Sequence, residues 1–400
     1  MNLPKAEYEL EYSHGSVYGE EEAKALIDVL KASAPSCGVK VKQFEEAFAA
    51  YCQSRYALAV TSATAGLHLA VIAAGVGPGD EVITTPISWV STANAILLTG
   101  ASVVFADVDP VSLNIDPKSV ADKITSNTKA IVVVHLYGQP CDMDSLVDLA
   151  RTRGISIIED CAHAPGAEYK GRKTGTLGDI GVFSFHQQKN MTTLGEGGML
   201  TTSDDHLFER LLSFRSLCCR SYDPKGKYLG FDLDREPMGK RYWYLDFEDV
   251  GFNFRMTDAQ AAVGLVQLGK LDGWNDRRIA IAQEYGRRLS GIRGLRLPAA
   301  GPGVKHVFHI YCVCLEDDFQ LSKEDFMWEL YSQRRIKVWS HYTPIHLSTA
   351  YRNLGHRAGE CPVAEDMSRR FVSLPIHPRL TDEAIDYLTR NIREVAHVSV

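Results

Sequence analysis

No stretch of this 400-residue sequence is long and apolar enough to read as a membrane span. The longest uncharged run, Val82 to Ala106, is broken by Pro86, Asn94, Gly100 and several hydroxyl residues, and reads as strand–helix–strand. Basic residues are not in excess either. The 43 Lys and Arg stand against 50 Asp and Glu, a formal net charge of −7, which disfavours a dedicated nucleic-acid binder. The opening MNLPKAEYELEYSHGS lacks the apolar core of a secretory signal. The nine cysteines follow no regular spacing: Cys218–Cys219 and Cys312-Val-Cys314 are close pairs without the two-residue gap of a zinc or redox motif. Reduced thiols and a cytoplasmic location are the expectation. The sequon Asn190-Met-Thr192 then carries no meaning, because glycosylation needs a secreted chain. Repeats and low-complexity tracts are also missing.

What is present is an ordinary soluble composition, 45% hydrophobic and 23% charged, in a chain long enough for two or three domains. Seven short apolar runs read as strands: Ala57–Val60, Val82–Thr84, Val103–Val108, Ala130–Val134, Ser156–Glu159, Gly181–Phe185 and Met199–Thr202. They are rich in Val and Ile without polar alternation, as in a sheet buried on both faces. Helical patterns such as Ala65–Ala74 and Met143–Arg153 lie between them, which predicts a doubly wound, mostly parallel α/β domain. A long helix follows to Leu289, with Thr257 and Asp258 as caps and Ala261, Leu265, Leu268 and Leu271 at helical spacing. Beyond Pro298 the pattern becomes α+β, with a strand at Tyr311–Leu315 and helices from Lys323 and Thr381. The expected division is a large domain over 1–265 and a smaller C-terminal α+β domain over 266–400.

Ligands of open α/β sheets bind at the carboxyl ends of the strands, so the first polar residues after each run matter most. Thr61-Ser62-Ala63-Thr64 follows the first run and opens a helix, either as a plain N-cap or as a phosphate cradle of amides and hydroxyls. Glu159-Asp160-Cys161-Ala162-His163 follows the fifth; its acids are bridged, capping or functional, since a buried carboxylate needs a positive partner. Lys189 stands before the Gly-rich Gly195-Glu-Gly-Gly198 turn, as a surface lysine or a Schiff-base nucleophile. Other cofactor motifs fail. Gly166 to Thr174 approximates a P-loop, but Arg172 replaces the phosphate-binding lysine and no strand precedes it directly. There is no Gly-x-Gly-x-x-Gly after the first strand, no His-Glu-x-x-His and no serine elbow. One ligand accounts for all three segments: pyridoxal phosphate (PLP) needs an amine, an acid for its ring nitrogen and a phosphate cradle. Trp89 offers a face on which the ring can stack.

The run EDCAHAPGAEYKGRKTGTLGDIGVFSFHQQKNMTTLGEGGMLTT resembles the DegT/StrS-like sugar aminotransferases, of fold-type I PLP architecture. GDEVITTPISWVSTANAILLTGASVVFADVD, FNFRMTDAQAAVGLVQL, HYTPIHLSTAYRNLG and SLPIHPRLTDEAIDYL match as well. The resemblance implies that Lys189 bonds the cofactor aldehyde and then shuttles a proton, and that Asp160 keeps the ring nitrogen protonated. It implies His163 on the ring oxygen, Trp89 as the stacking face, and Ala63, Thr64 and Ser184 as the phosphate cradle. Asn253 would reach the phosphate from a neighbouring subunit, so a homodimer with shared sites is implied. His341, Tyr342 and His346 fall in a segment resembling a substrate-facing stretch, or form an ordinary Pro-centred turn.

Two departures stand out. The family's Ser-Gly-Thr phosphate turn is Ser62-Ala63-Thr64 here, a conservative change unless that position needs a positive φ. The segment 217–249 is longer than usual and holds Tyr222, Tyr228, Phe231, Tyr242, Trp243, Tyr244 and Phe247. It reads as a substrate-facing or dimer-crossing loop, or as a surface insertion. The implied reaction moves an amino group from glutamate or glutamine to a keto-sugar, nucleotide-linked, free or phosphorylated, or to a keto-cyclitol such as scyllo-inosose. The setting would be amino-sugar or antibiotic biosynthesis. A dehydratase of the same family would carry histidine in place of Lys189. A non-enzymatic PLP-binding regulator is the rival from another class. Neither a nucleic-acid nor a membrane partner is expected.

Overall fold

Runs of Val, Ile and Ala with no polar alternation have two faces to hide, and a sheet between two helical layers hides both. The computed structural model describes residues 15, 17–32, 37–220 and 246–396. All seven expected strands occur in one sheet: β1 Tyr56–Val60, β2 Glu81–Thr84, β3 Ser102–Phe105, β4 Thr128–Val134, β5 Ser156–Asp160, β6 Ile180–Ser184 and β7 Gly198–Thr202. Their order is β1-β7-β6-β5-β4-β2-β3. The pairings β2–β3, β2–β4, β4–β5 and β5–β6 are parallel. Only β7 runs against its neighbours. The central strand β4 is enclosed beyond Lys129, with Ala130, Ile131, Val132 and Val133 all at 0% exposure. Each such Val or Ile contributes about 1.5–3 kcal/mol of transfer free energy. The run expected over Val103–Val108 stops at Phe105. Asp107 then turns its carboxylate to accept the N–H groups of Val363 and Ala364, which caps a distant helix.

Helices α1 (Glu20–Lys31), α2 (Val39–Cys52), α3 (Ala63–Ala73), α4 (Ser91–Leu97), α5 (Pro117–Lys123), α6 (Met143–Arg151) and α7 (Asp205–Arg215) accompany this sheet. Helix α8, Asp258–Leu289, opens on a capping box in which Thr257 and Gln260 exchange bonds. Asp258, expected to share that role, caps another helix instead. Its Oδ1 accepts the N–H groups of Gly38 (2.8 Å) and Val41 (3.1 Å) at the start of α2, where Gly38 has no side chain of its own to offer. Along α8 the packing partner changes. Ala261 and Leu271 belong to a core with Phe44, Phe48, Phe183 and Phe185, whereas Ile281, Tyr285 and Leu289 join Tyr311, Phe326, Leu330 and Leu388.

This second core lies under a three-stranded antiparallel sheet of β8 (Leu295–Arg296), β9 (Tyr311–Leu315) and β10 (Phe371–Leu374). Helices α9 (Lys323–Arg334), α10 (Thr349–Asn353), α11 (Pro362–Ser368) and α12 (Asp382–Ala396) complete the described chain. Among the described residues no helix is long and apolar enough to cross a membrane. None of the nine cysteines is in a disulfide. Of the aromatic residues in the 217–249 segment, Phe247 is described and is 53% exposed. Tyr222, Tyr228, Phe231, Tyr242, Trp243 and Tyr244 lie outside the described residues.

Candidate active site

The strand ends β1, β5 and β6 and the start of α3 meet at a cleft of about 640 Å³, within the range of small-ligand sites. Ser62 leaves β1 extended and caps α3, its Oγ accepting the Ala65 N–H at 3.2 Å. Gly66 makes the first intrahelical bond, to the Ser62 carbonyl, and the amides of Ala63 and Thr64 lie outside both bonds. Ala63 is already helical, with no positive φ, so alanine sits there without strain. The glycine requirement falls on Gly198 of β7 instead. A Cβ there would come within 2.7 Å of the Ser62 carbonyl carbon and 2.8 Å of the Ala63 nitrogen. Thr64 Oγ1 donates to Ser91 Oγ at 2.8 Å, and buried Ser184 lines the same corner. Amides at a helix N-terminus with two or three hydroxyls are donors suited to a phosphate.

Asp160 closes β5 with 4% exposure. Its Oδ2 accepts from Thr92 Oγ1 (2.8 Å) and its Oδ1 from the Ala162 N–H (3.1 Å). Burial raises its carboxyl above the usual range, against those bonds and the Lys189 charge. Thr92 is held in turn by Ser88 Oγ at 2.8 Å. Lys189 also faces the cleft. Desolvation pushes its amine down to about 8, opposed by the Asp160 charge, so about a tenth of it is neutral at pH 7, far more than for an ordinary lysine.

The neighbouring Glu159 points the other way and is fully engaged. It accepts from His135 Nε2 (2.9 Å) and from the N–H groups of Gly175 (2.8 Å), Leu177 (2.7 Å) and Gly178 (2.7 Å). His135 Nδ1 accepts the Cys141 N–H at 3.1 Å, which places the ring proton on Nε2. With Cys161 these residues have metal-like spacing, but four bonds on the carboxylate make them a structural knot that ties the 175–178 turn to β4 and β5.

The far side of the cleft comes from the C-terminal part of the chain: Lys337, Trp339, His341 and Tyr342. Tyr342 OH meets His163 Nε2 at 3.3 Å, and His163 Nδ1 accepts the Tyr137 N–H at 3.3 Å. The His163 ring lies 4.5 Å from that of His309, and burial with the Lys189 charge holds both well below the ordinary histidine range. Trp89, 61% exposed, shows its ring to the cleft and lies 6.1 Å from the Tyr342 ring. The structure thus brings together Ala63, Thr64, Trp89, Asp160, His163, Ser184, Lys189, His341 and Tyr342.

Two expected residues are not there. His346 is a correction: the turn Ile345–Leu347 carries it inward, to 0% exposure, where Nε2 bonds Glu365 Oε1 at 2.9 Å. Asn253 lies on the surface outside its own chain's cleft, paired through its backbone with Ser216. Thr92, Ser88, Lys337 and Trp339 were not anticipated. A threonine one turn after Trp89 and the alternation Lys-Val-Trp-Ser-His were their available signals.

Amine, buried acid, hydroxyl-and-amide cradle and exposed indole fit PLP chemically. Residues 17–393 match the model of the DegT/DnrJ/EryC1/StrS aminotransferase family. The chain belongs to that family. This aminotransferase is 37% identical over 362 residues to GDP-perosamine synthase of Caulobacter vibrioides, covering 90% of this chain and 91% of the relative. Its structure superposes on that of S. venezuelae DesV in complex with a ketimine intermediate, with a TM-score of 0.85 and 35% identity over 95% of each chain. It also superposes on Streptococcus pneumoniae Spr1654, solved in PLP and PMP forms, with a TM-score of 0.87 and 28% identity over 97% of this chain and 99% of that one. The aminotransferases of this family are PLP-dependent.

Proposed function

We propose that this aminotransferase moves the amino group of glutamate or glutamine to the ketone of a nucleotide-linked keto-sugar, as a cytoplasmic homodimer in amino-sugar biosynthesis. The observation that carries the reading is the joint exposure of Lys189 and Asp160 to one cleft, the amine shifted toward neutrality by burial. The similarity to GDP-perosamine synthase supports the acceptor class. We read the two cores as two domains; the sequence divides them on α8 near residue 265, and the change of packing partner supports a division between Leu271 and Ile281.

PLP, when bound, supplies an electron sink that makes the donor Cα proton acidic. In its neutral form Lys189 Nζ would take that proton from Cα and deliver it to the cofactor's C4′ on the same face. Asp160 holds a proton on the ring nitrogen, and Thr92 fixes the Asp160 carboxylate edge that faces the cleft. His163 contacts the ring oxygen as a neutral imidazole. Ala63, Thr64 and Ser184 hold the phosphate, and Trp89 covers one ring face. Asn253, outside its own cleft, is assigned to the partner's site.

The test is a two-stage absorbance titration of the holoenzyme. Glutamate or glutamine should convert the absorbance band of the lysine-bound cofactor to that of its amine form. A panel of nucleoside-diphosphate keto-hexoses, free and phosphorylated keto-sugars and scyllo-inosose should then restore it selectively. Restoration by scyllo-inosose alone would overturn the sugar reading, and a band unmoved by any amino donor would return the chain to a binding role.

A further inference from the structure

Lys189 borders two spaces. One is the cleft, and the other is a cavity of about 30 Å³ whose polar lining includes Lys189, Arg278, His309, His341 and Tyr342. A buried water needs about 10–15 Å³ and two or more polar partners, so the volume suits one or two waters. A chain of side-chain amides settles which nitrogen of His309 accepts. Asn275 of α8, at 0% exposure, donates from Nδ2 to the Pro165 carbonyl at 2.9 Å, which leaves its Oδ1 as the acceptor. Asn190 Nδ2 donates to that Oδ1 at 2.8 Å and to the Val307 carbonyl at 3.2 Å. Asn190 Oδ1 is therefore an acceptor as well. By this donor and acceptor accounting, His309 Nδ1, 3.1 Å away, carries the proton, and Nε2 keeps a lone pair.

The ring is held in that state. Arg278, 1% exposed, donates to the His309 carbonyl at 3.4 Å and to the Ile376 carbonyl at 2.8 Å, and the His163 ring lies 4.5 Å away. Burial, and then the basic neighbours His163, Lys189, Arg278 and His341, keep His309 uncharged, while burial keeps the Tyr342 hydroxyl protonated. A base that takes and releases a proton within one turnover needs an acceptor that orients its N–H groups without fixing charge on it. A carboxylate in that place would hold the lysine as ammonium, whereas a neutral imidazole lone pair biases it far less. We infer that His309 is a positioning residue for Lys189: its Nε2, fixed as an acceptor by Asn190 and Asn275, holds a water in the small cavity, and that water accepts an N–H of the lysine amine. The inference rests on the reading of Lys189 as the proton carrier and is independent of which acceptor the enzyme uses.

Histidine-selective ¹⁵N NMR of the holoenzyme near neutral pH reads the tautomer without reference to activity, with the His309 signals identified by their loss in His309→Gln. A protonated Nδ1 and a bare Nε2 are expected; the reverse tautomer or an imidazolium overturns the inference. Kinetics follow the donor half-reaction in single-turnover absorbance. His309→Phe keeps a ring against His163 and should slow it by about ten-fold, the loss expected for one hydrogen bond. His309→Gln, whose Oε1 is a neutral acceptor, should recover most of the rate. Asn190→Asp puts a carboxylate on Nδ1 and favours the imidazolium, so Nε2 turns from acceptor to donor as pH falls. Its rate should drop between about pH 8 and about pH 6 by about ten-fold more than the parent's. Adding His309→Gln to Asn190→Asp should abolish that extra drop. Circular dichroism and cofactor absorbance check that each variant is folded and loaded, and if Asn190→Asp is not, the tautomer and the Phe and Gln variants decide. A parent rate in His309→Phe, or an extra drop that survives in the double variant, reduces His309 to packing. Turnover that survives Lys189→Ala would instead remove the proton-carrier reading itself, whatever the tautomer of His309.

Discussion

On one side of the cleft, Ala63, Asp160, Ser184 and Lys189 stand at or just beyond strand ends of a seven-stranded sheet whose core is closed to water. On the other, Lys337, Trp339 and His341 alternate along an extended segment hung on one bridge pair with β10. The first wall is over-determined: each side chain is aimed by a strand, a cap or a buried hydrogen bond. The second presents larger side chains, with Trp339 half exposed. A wall that handles the same cofactor in every turnover gains from rigidity. The alternating wall offers shape and charge in a row instead.

The sharpest way to break this contrast is at the rigid wall. Lys189→Ala should leave a folded protein and reduce transamination by about 10⁴-fold, read as loss of the donor half-reaction in single-turnover absorbance. Turnover persisting after that change would remove Lys189 from the chemistry. Asp160→Asn should cost about 10²-fold in kcat with little change in KM for the acceptor, because the neutral amide no longer favours a proton on the ring nitrogen. Gly198→Ala should act on the cradle through backbone contact alone, weakening PLP affinity by about ten-fold in equilibrium dialysis while denaturant stability changes less. Glu159→Gln separates structure from chemistry next door to Asp160. Replacing an acceptor of three backbone N–H groups should lower unfolding stability by about 3 kcal/mol in urea, with kcat of the folded fraction within about three-fold of the parent. The gentlest probe is pH. The Lys189 amine is lowered to about 8, so its reactive neutral form is populated as pH rises through that value. Cofactor uptake by the apoprotein should therefore accelerate with a midpoint near 8 rather than near 10.5, and Asp160→Asn should move that midpoint lower by removing the opposing charge.

How much of this was legible beforehand divides along the same line. Strand-end residues announce themselves because a buried apolar run must stop somewhere, and its first polar residue is forced to the sheet edge. That logic reached Ala63, Asp160, His163 and Lys189, whereas Ser184, inside its own run, came from the family resemblance. It also overcounted β3, because the side chain of Asp107 ends the strand and nothing in Val103–Val108 signals where its partner helix lies. The second wall carried a weaker signature. Lys337 and Trp339 lie in a five-residue alternation flanked by charge, too short to separate from a turn by periodicity. His346 looked equivalent to His341, but a turn after Pro344 sends it to Glu365. Thr92 was invisible because a threonine in the first turn of a helix has many ordinary uses. Asp258 was misread because its beneficiaries, Gly38 and Val41, are some 220 residues away in sequence.

Helix α8 passes without interruption from the core beneath one wall to the core beneath the other, 32 residues and about 48 Å long. It therefore works as a ruler with a screw thread. Adding or deleting one residue between Leu271 and Ile281 would shift one core against the other by about 1.5 Å and turn it by about 100°. His341 and Tyr342 would leave the cleft although neither they nor their neighbours had changed. The facing of Lys189 and the opposite wall across the cleft is thus counted out in helical turns, so chain length in this stretch matters as much as the side chains that line it.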